Sequence, residues 1–322
     1  MAVTLPNELQ HYICHLALTD PGFDNKFIFT LMNVNKLWAH FVCSHVYKNY
    51  HINKYVTFIG FYLAVVSRRQ VLPYGDYIQS LDMTAINKYG VDMRAHELMR
   101  RCPNLQSVTL GHPTSLKPIT IRWMASHCKQ LRTLSIGALE SYPFMLECDF
   151  SSLVGLRTII FTTTPLLCSS LLTLPWTLQE LHLVRMDTLD TATMVAFFEH
   201  HRQRQEQDRD HGRITRLAIE RCRRLVDDMT TWIPVHQLNW LSLSGRDIKD
   251  DHILAILSMR GDLDTLVLDN TLITTRVLDF VDSFRGGHGD NDDGTAGRCR
   301  LRIKELVLAN NINLPLDKQQ SL

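Results

Sequence analysis

The cysteine and histidine side chains have the greatest potential for chemistry in this sequence. Cys102 and Cys128 each precede a leucine by three residues, and His127 adjoins Cys128. A nucleophilic cysteine needs a histidine or another positive charge that lowers the pKa of its thiol. Because the side chains of adjacent residues diverge, His127 does not supply that contact. We interpret both cysteines as buried structural thiols and expect no catalytic residue in this chain.

Metal and nucleotide chemistry have equally little support. His200, His201 and His211 lie in the polar segment HHRQRQEQDRDHGR, where a solvated loop is favoured over a metal site. The sequence contains no GxxxxGK[ST], GxGxxG or HExxH motif, and its eight cysteines include no CxxC pair. We therefore expect no cofactor, no metal and no disulfide framework.

The composition restricts the partners and the compartment. With 45% hydrophobic and 21% charged residues, the chain can bury a substantial core. A formal net charge of +1 creates no general attraction to nucleic acid or to a membrane surface, so we expect neither as a partner. The most apolar run, Tyr55–Val66, is shorter than the roughly 20 residues of a membrane-spanning helix and predicts a buried helix. The first residues lack the features of a secretion signal, which favours a cytoplasmic or nuclear location.

Apolar residues recur at positions i, i+3 and i+5 through most of the chain. Six of the eight intervals between successive repeats fall within the roughly 20 to 29 residues of a leucine-rich repeat. Each repeat predicts a short strand with alternate side chains in a core, followed by a helix that covers the other side of that core. The repeats begin at Ile78, Leu105, Leu131, Leu156, Leu178, Ile214, Leu238, Leu263 and Ile303.

One repeat cannot bury its own apolar face, so the repeats must stack, and a helical side wider than the strand side curves the stack. We predict an α/β fold, a curved solenoid with a parallel concave sheet and helices on the convex side. The segment VYKNYHI predicts a degenerate first strand. Residues 200–213 and 285–298 lengthen two intervals and lack apolar residues, so we interpret them as loop insertions.

Two features resemble the F-box proteins that carry leucine-rich repeats. The cysteines in CPNLQSVTL, HCKQLRTLSI and LAIERC are similar to the cysteine-containing repeats of that family, over most of residues 78–311. LPNELQHYICHL followed by LMNVNKLWAHFV looks like an F-box, and YGDYIQSLDMT looks like the start of the repeats in fungal members. The resemblance implies a three-helix F-box over residues 1–50, a connecting segment over 51–77 and a solenoid over 78–322. From the spacing alone, a helical cap on the repeat stack fits residues 1–50 equally well.

The resemblance also implies a function in ubiquitin-dependent degradation. In this family the F-box binds a Skp-family adaptor, which links it to a cullin and a RING subunit, and the repeats hold the protein to be ubiquitinated. We expect this chain to be such a non-catalytic substrate receptor; the alternative is a leucine-rich-repeat scaffold with no ligase role. The residues that match the F-box pattern, and that we expect to bind the adaptor, are Leu5, Pro6, Leu9, Ile13, Val34 and Trp38.

The predicted strands indicate where a protein substrate binds. Residues between the framework positions face away from the core, and in the middle repeats they are larger and more charged than in the early ones. Tryptophan and arginine are enriched at binding hot spots, and arginine pairs with acidic or phosphorylated segments. The alternative is that Trp240 packs on a neighbouring strand and the arginines are only solvated. We predict one substrate-binding patch formed by Ile160, Glu180, His182, Arg185, Arg216, Arg221, Trp240 and Arg246.

Overall fold

The fold is α/β, as the repeat pattern predicts. The computed structural model describes residues 5–20, 22, 25–86, 91–111, 118–137, 145–207, 212–285 and 300–315. Ten strands form one sheet, in which the order of the strands is their order along the chain, and every described pairing is parallel. The chain divides into two compact units, Met1–Thr133 and Leu134–Leu322.

The strands form where the repeats predict them. Alternate residues are buried in the strands that follow the first, such as Leu81 and Met83 in one strand and Leu181 and Leu183 in another, because successive side chains point to opposite faces. The degenerate first strand is also confirmed, since residues 49–51 pair in parallel with residues 80–82. The strands are β1 Asn49–His51, β2 Ser80–Met83, β3 Ser107–Leu110, β4 Thr133–Gly137, β5 Thr158–Thr162, β6 Glu180–Val184, β7 Arg216–Glu220, β8 Trp240–Ser244, β9 Arg260–Asp269 and β10 Arg300–Ala309.

Helices connect most of these strands. The apolar run Tyr55–Val66 is helical, as predicted, but it is buried on one side only, since Phe58 and Phe61 are buried whereas Val56 and Leu63 are exposed. The helices are α1 Asn7–Thr19, α2 Asn25–Met32, α3 Lys36–Val46, α4 Tyr55–Val66, α5 Asp92–Arg100, α6 Pro118–His127, α7 Cys168–Leu172, α8 Thr191–Gln207, α9 Met229–Trp232, α10 Asp250–Leu257 and α11 Thr275–Arg285.

The first predicted insertion is helical over most of its length. Helix α8 continues to Gln207, so the prediction of a loop is wrong for residues 200–207. Glutamine, arginine and glutamate are good helix formers, and neither glycine nor proline interrupts the segment before Gly212. The polar composition belongs to the end of a helix, where Arg202 and Gln203 are exposed. The second predicted insertion, beyond Arg285, lies outside the described residues.

In the first unit, the N-terminal helices pack against the segment that precedes β2. A buried cluster contains Cys43 of α3 together with Leu72 and Tyr77. Nδ1 of His40 lies 2.8 Å from the hydroxyl oxygen of Tyr77, which adds a polar contact between the same segments. Helices α1 to α3 therefore belong to the same compact unit as the first strands, and the predicted domain boundary near residue 50 stays a prediction.

Candidate functional site

Helix α1 directs an apolar surface toward solvent. Cys14 is the one residue of this helix that is buried. The apolar residues at successive helical turns are instead 40% to 58% exposed. We name them the helix face: Leu5, Leu9, Tyr12, Ile13 and Leu16. Pro6 and Val34, two more of the predicted adaptor-binding residues, are also exposed. Sequence reasoning missed Tyr12, although it lies three residues after Leu9 and therefore on the same side of the helix.

Trp38 differs from the other predicted adaptor-binding residues because it is half-buried. Its indole N–H donates a hydrogen bond to Oε1 of Gln10 at 2.8 Å, so the side chain joins α3 to α1. The side chain of Asn35 caps α3 and accepts a hydrogen bond from the backbone N–H of Trp38 at 2.9 Å. This geometry indicates that Trp38 stabilises the arrangement of the helices.

Four predicted substrate-binding residues meet on the side of the sheet opposite the buried leucines. We name Glu180, His182, Arg216 and Trp240 the face cluster. Parallel register places Glu180, Arg216 and Trp240 side by side on β6, β7 and β8. Nε of Arg216 donates to Oε1 of Glu180 at 3.0 Å, and the guanidinium carbon of Arg216 lies 4.5 Å from the centre of the Trp240 ring. The His182 ring stacks on the same indole at a centroid distance of 5.9 Å.

The charges of the face cluster are neutralised within the cluster. Nε2 of His182 lies 2.9 Å from Oε1 of Glu180, and the hydroxyl of Thr158 donates to Oε2 at 3.1 Å. Burial acts to raise the pKa of Glu180, but the hydrogen bonds with His182 and Arg216 outweigh it and hold the pKa below its usual value. The cluster therefore offers a partner a partly covered indole and a paired carboxylate.

The residue that follows each strand from β5 to β10 adopts a left-handed conformation, with φ near +50° or, for glycine, +139°. After β5 to β9, the N–H of this residue donates to the last carbonyl of the next strand, as Arg185 does to Glu220 at 2.8 Å and Arg221 does to Ser244 at 2.7 Å. A left-handed conformation is unfavourable for residues with a Cβ atom. Two of these positions nevertheless hold arginine. The strand-end residues are Thr163, Arg185, Arg221, Gly245, Asn270 and Asn310.

A cleft of about 590 Å³ opens at these strand ends. Its lining includes Arg185, Arg221 and Arg246, three of the four predicted substrate-binding residues that are absent from the face cluster. Four arginines against two aspartates give the lining a formal charge of +2. We name it the arginine cleft, and it is lined by Thr163, Arg185, Asp187, Arg221, Arg223, Arg246, Asp247 and Asn270.

Part of the charge in the arginine cleft is left unpaired. Nε of Arg223 lies 3.2 Å from Oδ1 of Asp247, and Nε of Arg221 lies 3.7 Å from Oε1 of Glu220. By contrast, the side chains of three charged lining residues have no hydrogen bond or ion pair with any other residue that the structure describes. These are Arg185, Asp187 and Arg246.

The predicted single patch is therefore divided into two groups. Among the described residues, no hydrogen bond, ion pair or ring contact joins the face cluster to the arginine cleft. The division arises because the face-cluster residues lie within strands, whereas the arginines of the cleft follow the strand ends. Ile160 of β5 is half-buried and is the register partner of His182.

Sequence reasoning missed several residues of the arginine cleft. Asp187, Arg223 and Asp247 each lie two positions after a strand-end residue. The same position in successive repeats can be read from the sequence. It would have placed these three residues beside Arg185 and Arg221.

The cysteines of the repeats have a packing role in the structure. Cys102, Cys128 and Cys222 are buried, and burial raises the pKa of the Cys128 and Cys222 thiols to about 11. The Cys222 thiol donates to the carbonyl of Leu183 at 3.3 Å, which links the end of β6 to the residues after β7. Cys168 is the exception among the described cysteines, because it is exposed.

The sequence matches no protein-family model and no curated protein with which it was compared. Across the described ranges, no helix combines the length and apolar character needed to cross a membrane. The function is therefore inferred from the surfaces of the two units.

Proposed function

We propose that this chain is the substrate-recognition subunit of a Skp-cullin-F-box ubiquitin ligase that acts in the cytoplasm or nucleus. In this proposal, the N-terminal helices bind a Skp-family adaptor, and the repeats bind the protein to be ubiquitinated. The helix face is the observation that carries the proposal, because its apolar residues are exposed and α1 buries only Cys14.

An exposed apolar helix is unfavourable unless a partner covers it. Burial of a leucine or isoleucine side chain stabilises by roughly 1.5 to 3 kcal/mol, and exposed apolar patches mark interaction surfaces. The helix face offers anchors on successive turns, which is the arrangement that binds in an apolar groove. The resemblance of residues 1–50 to an F-box supports a Skp-family adaptor as that partner.

The second unit supports the other half of the proposal. Its sheet presents an aromatic and polar face cluster, and its strand ends present the arginine cleft. Tryptophan and arginine are the residues most enriched at protein-binding hot spots. Both groups lie on a framework of buried leucines, so their side chains can differ without loss of the core.

The proposal is tested by adaptor capture with the double variant Leu9→Glu, Ile13→Lys. Glutamate four residues before lysine forms a favourable helical pair, so α1 should remain folded while its apolar face is lost. Full-length parent chain should retain purified Skp-family adaptor and, through it, the cullin. Because large interface anchors contribute more than about 2 kcal/mol, the variant should bind the adaptor at least about thirtyfold more weakly.

Leu63→Lys is the matched control, because Leu63 is an exposed apolar residue of another helix. It should retain the adaptor as the parent does. Trp38→Ala is a poorer test, since loss of the hydrogen bond to Gln10 disturbs the helices themselves. Failure of the parent to bind the adaptor, or equal binding by the double variant, would contradict the proposal and favour a repeat scaffold with no ligase role.

A further inference from the structure

Helices α4, α5 and α6 of the first unit enclose a groove of about 350 Å³. This volume lies within the range of small-molecule sites, which is about 300 to 1,000 Å³. The groove shares no residue with the helix face. We name it the interhelical groove, and its lining includes Tyr62, Met93, Arg94, Arg100, Ile119 and Trp123.

The walls of the interhelical groove carry apolar side chains that the fold leaves accessible. Met93 of α5 is 72% exposed, and Ile119 of α6 is 54% exposed. The half-buried indole of Trp123 stacks on the rings of His96 and His127 at centroid distances of 6.2 Å and 5.0 Å, which restricts its orientation. Accessible apolar side chains around a concave site indicate that the ligand has an apolar part.

The same groove contains two arginines that have no carboxylate partner in the part of the chain that the structure describes. Arg94 donates to a tyrosine hydroxyl at 3.0 Å, and the guanidinium carbon of Arg100 lies 5.8 Å from the centre of the Trp123 ring. Glu97, the acidic residue of the lining, accepts instead from the hydroxyl of Tyr62 at 2.6 Å. Two arginines and one glutamate give the lining a formal charge of +1, which one carboxylate of a ligand neutralises.

The dimensions of the groove favour a single extended chain over a bound helix. Met93 and Arg100 are both in α5, and their separation in sequence corresponds to a length of about 10 Å. This length and the volume give a groove roughly 6 Å across, whereas a helix with its side chains is about 10 to 12 Å across. An alkyl chain enters such a groove, and a peptide helix does not.

We propose that the interhelical groove binds a medium-chain fatty acid. The alkyl chain lies against Met93, Ile119 and Trp123, and the carboxylate accepts hydrogen bonds from Arg94 and Arg100. Because the ligand binds the folded state, it stabilises the first unit. This inference goes beyond the proposed function and does not rest on it.

The test is calorimetric titration of the full-length chain with hexanoate, octanoate and decanoate, each below its micellar concentration. Two added methylene groups should tighten binding about fifteenfold while the chain remains within the groove. Decyltrimethylammonium, which has the same alkyl chain as a cation, should bind at least about tenfold more weakly than decanoate. Absence of decanoate binding, equal binding of hexanoate and decanoate, or equal binding of the cationic amphiphile overturns the inference.

Two variants with matched controls locate the site. Met93→Glu places a carboxylate beside the alkyl chain, and Arg100→Gln removes a guanidinium; both residues are exposed, so the variants should fold. Each should weaken decanoate binding at least about tenfold. Val56→Glu in α4 and Arg101→Gln next to Arg100 change exposed residues outside the lining and should bind decanoate as the parent does. A control that weakens binding as much as its matched variant would show that the ligand binds elsewhere, and the inference would be wrong.

Vesicles of phosphatidylserine and phosphatidylcholine provide the last arm, since an anionic membrane surface also combines alkyl chains with negative charge. We expect the chain to bind decanoate and not to sediment with the vesicles. Sedimentation with vesicles that Met93→Glu abolishes, together with no binding of decanoate, would identify a membrane surface and overturn the inference. No adaptor is present in these measurements. A chain that binds decanoate but no adaptor would contradict the proposed function alone, and a chain that binds adaptor but no decanoate would contradict this inference alone.

Discussion

The helix face and the arginine cleft are both unpartnered surfaces, but they differ in what they lack. The helix face lacks cover for the carbon surfaces of residues such as Leu9 and Ile13, whereas the cleft lacks counter-charges for Arg185 and Arg246. Apolar burial depends little on salt, whereas pairing between charges weakens as the salt concentration rises. Binding at the two surfaces should therefore respond differently to ionic strength.

The two surfaces also differ in how far the fold depends on them. Helix-face side chains are exposed and can be exchanged, but the strand ends in the second unit admit few residues. The sharpest case is Gly137, at φ of 116°, where a Cβ would lie 1.8 Å from the carbonyl oxygen of Thr162.

We expect Gly137→Ala to have the largest effect on stability of the changes considered, about 3 kcal/mol or more, because backbone must move to admit the methyl group. The double variant of the helix face should change the free energy of unfolding by less than about 1 kcal/mol. Urea denaturation of both proteins measures the contrast. Equal stability of the two variants would contradict the claim that the fold depends more on the strand ends than on the helix face.

Gly245 and Arg221 occupy equivalent strand ends, but a substitution should cost more stability at Gly245. A Cβ at Gly245, where φ is 139°, would lie 3.3 Å from the backbone of Arg221, so Gly245→Ala should destabilise by about 1 to 3 kcal/mol. Arg221→Gly relieves a left-handed side chain and should lower stability by less than about 1 kcal/mol. Thermal melts of the two variants decide this. A larger loss for Arg221→Gly would mean that its side chain is structural.

Binding at the helix face and binding at the arginine cleft should also differ in their dependence on salt, and this effect is smaller. Raising the ionic strength from about 0.1 M to about 0.5 M shortens the screening length and should weaken binding of a fluorescent pool of acidic peptides to the arginine cleft several-fold. Adaptor binding at the apolar helix face should change by less than about twofold. Titrations of the same protein preparation at both salt concentrations measure the contrast. Equal salt sensitivity would contradict the chemical distinction between the surfaces.

The smallest expected effect concerns the face cluster, whose side chains are partly covered and whose charges are paired with one another. Because the pKa of Glu180 is lowered in the folded protein, its stabilising contribution is present above the usual pKa of a glutamate and is lost as the pH falls through the folded value. Glu180→Gln should therefore cost about 1 kcal/mol or less near pH 6, and the difference from the parent should shrink near pH 3.5. Urea unfolding at the two pH values measures it.

Glu199→Gln, on the exposed side of α8, is the control variant for these unfolding measurements. A difference between Glu180→Gln and the parent that grows on acidification would contradict the pairing seen in the face cluster.

The repeat pattern predicted the strands because every second residue of a strand is buried. The apolar residues at those buried positions are visible in the sequence. Leu181 and Leu183 are buried as predicted, and the same is true of the corresponding pair in each strand from β2 to β10. Residues 200–207 were predicted wrongly because polar composition alone does not separate a loop from the solvated end of a helix. Helix propensity and the absence of glycine before Gly212 were the better indicators.

The division between the face cluster and the arginine cleft could not be predicted in the same way. It depends on distances between side chains of neighbouring strands, such as the 3.0 Å between Arg216 and Glu180, and these follow from register. The left-handed conformation of Arg185 was equally hidden, because it is an unusual choice for arginine. The half-buried Trp38 shows the same limit, since a sequence motif does not reveal its hydrogen bond to Gln10.

The proposal that one chain holds an adaptor and a protein substrate together is tested most directly by sedimentation velocity. The full-length chain is mixed with Skp-family adaptor and the fluorescent pool of acidic peptides, and the boundary is followed through both the protein and the label. We predict one boundary that contains the label, sediments faster than the chain alone and loses the adaptor in the double variant Leu9→Glu, Ile13→Lys. Adaptor that sediments separately from the parent chain, or that displaces the labelled peptide, would contradict it.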